Sequence, residues 1–305
     1  MNSKSDPRWA YPLVNLATLL WATNFALGRL FRNEIGPFTL TAARFTVAAI
    51  ILSIWGSRLP AQERAPGRQS ALLFGMGLTG VFGFGWLLYS GLQHTTVTNA
   101  ALMNGTAPLI IGLLAALLLK ERFSPQSILG AIISLSGVAV IVSGGSLEVL
   151  LRQQWNVGDL LVLAAVADWG MYSILARVVT RSRSTISATW LSTLLGLPLL
   201  YISAAWEWQT RPPTLDLPVM VAVIYIGIFP SVVAFLAWNE GVRRVGPSRV
   251  TAFYNMLPVF GALIGVVWLG ESFGLAQLIG GGLIIAGSLT AVWTDLQGHR
   301  SRYER

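Results

Sequence analysis

Apolar runs of roughly 17 to 25 residues, the length that spans a bilayer, recur from Tyr11 to Trp293 with polar residues gathered in short intervals between them. About 20 helical residues rising about 1.5 Å each cross a hydrocarbon layer of about 30 Å. The chain is 54% hydrophobic and 11% charged, against about 25% charged in soluble domains. Together these predict an all-α polytopic membrane protein and exclude a water-soluble fold.

The expected transmembrane helices number ten: 10–30, 37–56, 69–92, 96–119, 125–143, 157–179, 184–204, 217–240, 248–269 and 274–293. Gly36-Pro37, Pro60, Pro66-Gly67, Ser124-Pro125, Gly144-Gly145, Pro212-Pro213 and Gly246-Pro247 punctuate them, as turn-forming residues do. Met1 to Pro12 has no A-x-A cleavage site after a short apolar core, so the first run reads as an uncleaved span. Alternate connections differ sharply in Lys and Arg, with sixteen on one side and only Arg29, Arg32, Arg152 and Arg211 on the other. Cytoplasmic segments carry the excess, so both termini are expected in the cytoplasm.

The chain also echoes itself. At an offset of 150, Gly77 pairs with Gly227, Gly91 with Gly241, Pro108 with Pro258, Glu121 with Glu271, Phe123 with Phe273, Gly130 with Gly280 and Gly137 with Gly287. At an offset of 148, Trp21 pairs with Trp169 and Arg29 with Arg177. The expected domains are 1–145 and 146–295, five spans each, followed by a basic cytoplasmic tail at 296–305. An odd number of spans per copy makes the second copy enter the membrane from the opposite side. Inverted repeats place a binding site near the midplane and let the halves rock around it.

The residues that repeat also carry a resemblance. Trp21-Ala22-Thr23-Asn24-Phe25, the segment from Pro37 to Arg44, and the series Pro108, Glu121, Phe123, Gln126, Gly130 and Gly137 are similar to the drug/metabolite transporter superfamily and its EamA-type repeat. The series returns as Pro258, Gly270-Glu271-Ser272-Phe273, Gln277, Gly280 and Gly287. Lys120 stands where the pattern has Gly before Glu, Gln126 is one residue out of register with Gln277, and no Asn follows Trp169. The resemblance implies a secondary transporter with a central cavity lined by spans one, three, four, six, eight and nine.

Several side chains are candidates for that cavity. Trp21, Trp86, Trp169 and Trp238, with Tyr89, Tyr172 and Tyr254, either line it or pack the core. Trp9, Trp55, Trp206, Trp208 and Trp293 suit the aromatic belts of the interfaces. The amides of Asn24, Asn99, Asn104 and Asn255 either bond neighbouring helices or line a wet cavity. Pro108 and Pro258 fall inside spans, where proline removes a backbone hydrogen bond, and mark either the substrate pathway or simple helix shaping.

Two intramembrane charges need partners, because a charged side chain at the span centre costs about 2.5–3.5 kcal/mol. Arg44 reaches the interface, caps carbonyls, or meets substrate. Asp168, midway along span six, binds a substrate ammonium, carries a proton, or pairs with Arg44. Glu121 and Glu271 suit helix-end pairing with nearby cations.

Other signatures fall away. Gly75-x-Gly77-x-x-Gly80 copies a dinucleotide fingerprint but lies in an apolar helix without a strand before it, so close packing explains it, as it does Gly83, Gly85 and Gly261-x-x-x-Gly265. The sequon at Asn104 lies within a span. There is no Cys, and His94 and His299 are the only histidines. No catalytic motif, metal cluster or cofactor signature appears, and the net charge of +8 is dispersed rather than gathered into a face for nucleic acid. The expectation is a monomeric, non-enzymatic carrier of the bacterial inner membrane with no cofactor, whose partners are a small metabolite and the lipid bilayer. Export of aromatic or other neutral amino acids by alternating access leads. Import, nucleotide-sugar carriage, and a non-transporting sensor or scaffold are the alternatives.

Overall fold

The computed structural model describes residues 9–31, 33–95, 100, 103–121, 124–152, 156–269 and 274–303, and among them there is no strand. Asn99, Phe123 and Glu271 lie outside the described residues. The long helices are α1 (Ala10–Leu30), α2 (Pro37–Gly56), α3 (70–94), α4 (Ala107–Leu119), α5 (Pro125–Ser143), α6 (Val157–Val179), α7 (Thr185–Glu207), α8 (Leu217–Val245), α9 (Met256–Leu269) and α10 (Leu275–Tyr303). Six segments are long and apolar enough to cross a membrane: Pro37–Gly56, Ala61–His94, Pro125–Ser143, Val157–Val179, Thr185–Glu207 and Leu217–Val245. Ala107–Leu119 and Leu275–Ala291 are shorter apolar helices. Leu117, Leu160, Ile202 and Leu217 are all more than half exposed, a surface that lipid tolerates and water does not. This is a polytopic helical membrane protein. The α10 backbone stays helical through the expected tail, as far as Tyr303.

Helix starts follow local chemistry. Ser124 and Ser184 cap α5 and α7 by accepting from the N–H groups of Ser127 and Ser187, and Asp216 caps α8 through Val219. Asn156 and Asp159 form a reciprocal capping box at α6. The α2 start has no side-chain cap of its own. Glu207, at the far end of α7, supplies it by accepting from the backbone of Phe38 (3.2 Å) and Thr39 (2.9 Å) and from the Thr39 hydroxyl (2.6 Å). A Cβ on Gly36 would lie 2.3 Å from that carboxylate, so a larger residue there would push the cap aside. The favour is returned just beyond α2, where the Glu63 carboxylate accepts from the Ser184 backbone at 3.1 Å and from its hydroxyl.

Packing comes in matched pairs. α1 lies on α8 and α9, as α6 lies on α3 and α4, while α2 packs on α7 and α5 on α10. In the α5–α10 seam Gly130 faces Gly287 and Gly137 faces Gly280, so the two helices run antiparallel. An added Cβ at any of the four would sit 2.5–2.6 Å from the opposing carbonyl oxygen. Gly77 and Gly196 meet across α3 and α7 in the same way, and a Cβ on Gly77 would lie 2.5 Å from the Ser192 carbonyl oxygen. Small residues permit this approach where no hydrophobic force drives helices together. Gly261 does not share the role, since nothing lies within 4 Å of its added Cβ.

Both halves carry interruptions at corresponding places. α3 contains a π-helical segment, Gly77–Gly83, and α8 contains another, Phe229–Val233. Residues 79–83 lie 150 positions before 229–233. Such bulges are rare in helices and often occur at functional sites. The prolines differ from the expected interior kinks. Pro108 is in the first turn of α4, after a turn at Thr106, and Pro258 is in the first turn of α9, after turns at Tyr254 and Asn255. In a first turn the missing N–H costs no helical hydrogen bond, so the chain breaks ahead of each proline instead of bending at it. Asn255 joins the two breaks by donating to the Gly105 carbonyl (3.1 Å) and to Ser134 Oγ (3.1 Å).

Candidate functional site

Where the two halves meet, aromatic rings from α1, α6, α8 and the turn before α9 form one cluster. The Trp21 and Trp169 rings stand edge to face at 5.1 Å, and Trp238 lies 5.3 Å from Trp21 and 5.6 Å from Trp169. Tyr172 stacks on Trp169 at 4.8 Å, Phe235 closes edge-on at 5.4 Å, and Tyr254 lies 6.2 Å from Trp21. Each such pair contributes about 0.5–1.5 kcal/mol beyond area burial, so the rings hold one another rigidly. Three of their polar ends are tied down too. Trp238 Nε1 donates to Ser173 Oγ (3.0 Å), Trp21 Nε1 donates to the Pro230 carbonyl (3.1 Å), and the Tyr172 hydroxyl accepts from Asn239 (2.6 Å).

A cavity remains inside this cluster, lined by Trp21, Asn24, Arg44, Phe84, Trp169, Phe235 and Tyr254. It leaves about 20 Å³ for water. One water needs about 10–15 Å³ on that measure, so the site is contracted and an organic solute requires it to open. Lining comes from α1, α2, α3, α6, α8 and the turn before α9. The participation of α2 was not expected, and none of the described lining comes from α4.

The sequence candidates divide accordingly. Trp21, Asn24, Trp169 and Tyr254 reach the cavity, with Tyr172 and Trp238 packed behind them in the same cluster. Tyr89 is one layer out, accepting from Asn24 Nδ2 at 3.2 Å. Trp86 corrects the expectation for that residue: it is 38% exposed and stacks with Phe38 and Phe82 instead of facing the cavity. Asn104 is buried ahead of α4, donating to the Ala100 carbonyl at 2.9 Å, and Asn255 serves the junction of the two breaks. Neither is among the lining. Pro108 and Pro258 act through the breaks they follow. Sequence reasoning missed Phe84, Phe235 and Asn239, three residues in apolar or unmarked contexts.

The two intramembrane charges are apart. No ion pair joins Arg44 to a described residue; its guanidinium carbon lies 4.6 Å from the Phe45 ring centroid. It is 3% exposed and points to the cavity, which corrects the reading that its stem reaches the interface. Asp168 instead sits against α3, where a Cβ on Gly83 would lie 2.7 Å from its Oδ2. Glu121, by contrast, ends α4 within a network, accepting from Ser248 Oγ (2.8 Å) with Arg177 Nε at 4.0 Å. Among the described residues no group of three His, Cys, Asp or Glu could hold a metal ion.

The model of the EamA-like transporter family matches residues 8–143 and again 156–293. The chain belongs to that family. It is a transporter, not an enzyme, and a multi-pass protein of the bacterial inner membrane. It is 30% identical over 272 residues to a probable terminal-alkyne amino-acid exporter of Streptantibioticus cattleyicolor, covering 89% of each chain. It is 28% identical over 278 residues to the uncharacterized transporter YyaM of Bacillus subtilis, covering 90% of each. Similarity to the aromatic amino acid exporter YddG of Ancylobacter novellus is 26% over 283 residues, 90% of this chain and 94% of that one. A solved crystal structure superposes with a TM-score of 0.75 at 26% identity, covering 93% of this chain and 96% of the other.

Proposed function

We propose that this transporter exports aromatic or other neutral amino acids through the central cavity by alternating access. In this reading ten spans form two inverted five-helix repeats with both termini in the cytoplasm, and the halves rock about the α2–α7 and α5–α10 seams. The observation that carries it is the ring cluster of Trp21, Trp169, Trp238 and Tyr254 around a cavity at the junction of the halves. Rings in that arrangement suit an apolar or aromatic side chain. Two relatives named as amino-acid exporters support the substrate class. The antiparallel glycine seam of α5 and α10 and the paired interruptions support the inversion.

The test is counterflow of labelled phenylalanine, tryptophan and leucine in proteoliposomes containing the full chain. Exchange that saturates and is lost in Trp169→Ala is expected, and no movement of any amino acid sinks the proposal. Topology has its own check, because the chain has no Cys. A cysteine at Ser301 should react with impermeant reagents only from the cytoplasmic side and one at Glu148 only from outside. Labelling of both from one side contradicts the ten-span reading.

A further inference from the structure

Hydrogen-bond accounting inside the cavity is lopsided. The indole N–H of Trp21 is satisfied by Pro230, and Asn24 and Tyr89 satisfy one another. Two buried donors among the described lining have no protein acceptor: Arg44 Nε and Trp169 Nε1. Arg44 is 3% exposed and Trp169 2%. Arg44 is also the single formal charge among the described lining residues. An unpaired guanidinium held this deep is costly, and an unbonded buried N–H adds about 1–3 kcal/mol. Both costs disappear when one acceptor-rich anion sits between the two groups. The planar fork of a guanidinium matches the two oxygens of a carboxylate.

We propose that Arg44 and the Trp169 indole N–H form a carboxylate-binding site in the central cavity, so that substrates are selected by their acid group and not by an ammonium. This rests on the amino-acid reading for the identity of the cargo but not for the site. Asp168, the obvious ammonium partner by sequence, faces Gly83 and is not among the described lining, so the cavity holds a cation and no anion. The ligand class that follows is an aryl or alkyl monocarboxylate of amino-acid size, with the side chain among the rings and the acid at Arg44. Deaminated analogues belong to it as fully as amino acids do.

The full chain in nanodiscs, with labelled 3-phenylpropionate as the probe, tests this directly. Phenylalanine should compete within about tenfold of 3-phenylpropionate itself. Phenethylamine and phenylalaninamide, which lack the carboxylate, should be weaker by about tenfold or more, the effect of losing a charge-assisted hydrogen bond. Arg44→Gln should abolish binding and Arg44→Lys should retain part of it. Trp169→Phe, which keeps an aromatic ring and removes the N–H, should weaken binding several-fold in a chain that still unfolds cooperatively. If Arg44→Gln does not assemble, the lysine and Trp169→Phe variants carry the same test. Absence of 3-phenylpropionate binding to the parent chain, equal competition by phenethylamine, or full binding by Arg44→Gln or Trp169→Phe overturns the site. Counterflow separates the two readings. Binding that needs Arg44 without any amino-acid movement removes the amino-acid cargo and keeps the site. Amino-acid movement indifferent to Arg44 does the reverse.

Discussion

The two π-helical interruptions occupy corresponding places but arise from different chemistry. In α3 the segment is glycine-rich, with Gly77, Gly80 and Gly83 leaving room for α7 and α6, and Tyr172 and Asp168 press directly on Gly80 and Gly83. In α8 the segment contains Pro230, which has no N–H to give, and its carbonyl is taken by Trp21. A twofold-repeated fold therefore needs the same local geometry twice but not the same residues to obtain it. The partners bear the asymmetry. Trp21 and Trp169 correspond in sequence, yet one indole N–H is bonded to backbone and the other is free for the cavity. One half braces, and the other is left with chemistry to offer.

Substitutions can break that contrast from either side. Gly80→Leu should be the most damaging, because an added Cβ already lies 2.3 Å from the Tyr172 ring. Overpacking of this kind costs about 1–3 kcal/mol, and thermal unfolding in detergent should show a clear loss, whereas a melting curve like the parent's contradicts the close contact. Pro230→Ala restores a donor and should let α8 close towards regular helix, turning Phe235 away from the cavity. The chain should still fold while counterflow falls by about tenfold or more, as misplaced site residues usually cause; retained counterflow means the interruption does not position the ring.

The tryptophan pair sharpens the comparison further. Both Trp21→Phe and Trp169→Phe lose ring packing, but Trp21→Phe also loses a hydrogen bond and should cost about 0.5–1.5 kcal/mol more. Equal losses in the two variants would remove the asymmetry. The smallest effect concerns Lys120, which adopts φ 55 and ψ 31 at the end of α4, where the family pattern has glycine. Relief of left-handed strain, about 1–2 kcal/mol, exceeds the added unfolded-chain entropy of glycine, about 0.5–1 kcal/mol. Lys120→Gly should therefore raise the melting temperature slightly.

Much of this was legible in the residues. Helix positions, the repeated glycines and the pairing of Trp21 with Trp169 could be read because a bilayer fixes helix length and close packing demands small side chains. Facing could not be read. Lipid and protein interior are both apolar, so nothing in α2 or α3 marks which side meets which: Trp86, a candidate for cavity or core, lies outside the cavity, and Arg44, whose readings ran from the interface to the substrate, lies within it. The apolar run of 96–119 likewise hid the turn at Thr106, because a break inside the membrane needs polar partners from elsewhere in the chain, such as Asn255, which no local pattern announces.

The reciprocal carboxylate caps of α2 and α7 limit how the halves can move. Glu207 is fixed to the start of α2 and Glu63 to the start of α7, at opposite ends of one antiparallel pair. Sliding one helix along the other would pull both carboxylates off the groups they hold or drive both into them. Rotation about a pivot between them strains both only slightly, so in the proposed alternating access this pair would serve as a hinge pin and the cavity would open by a tilt and not a glide.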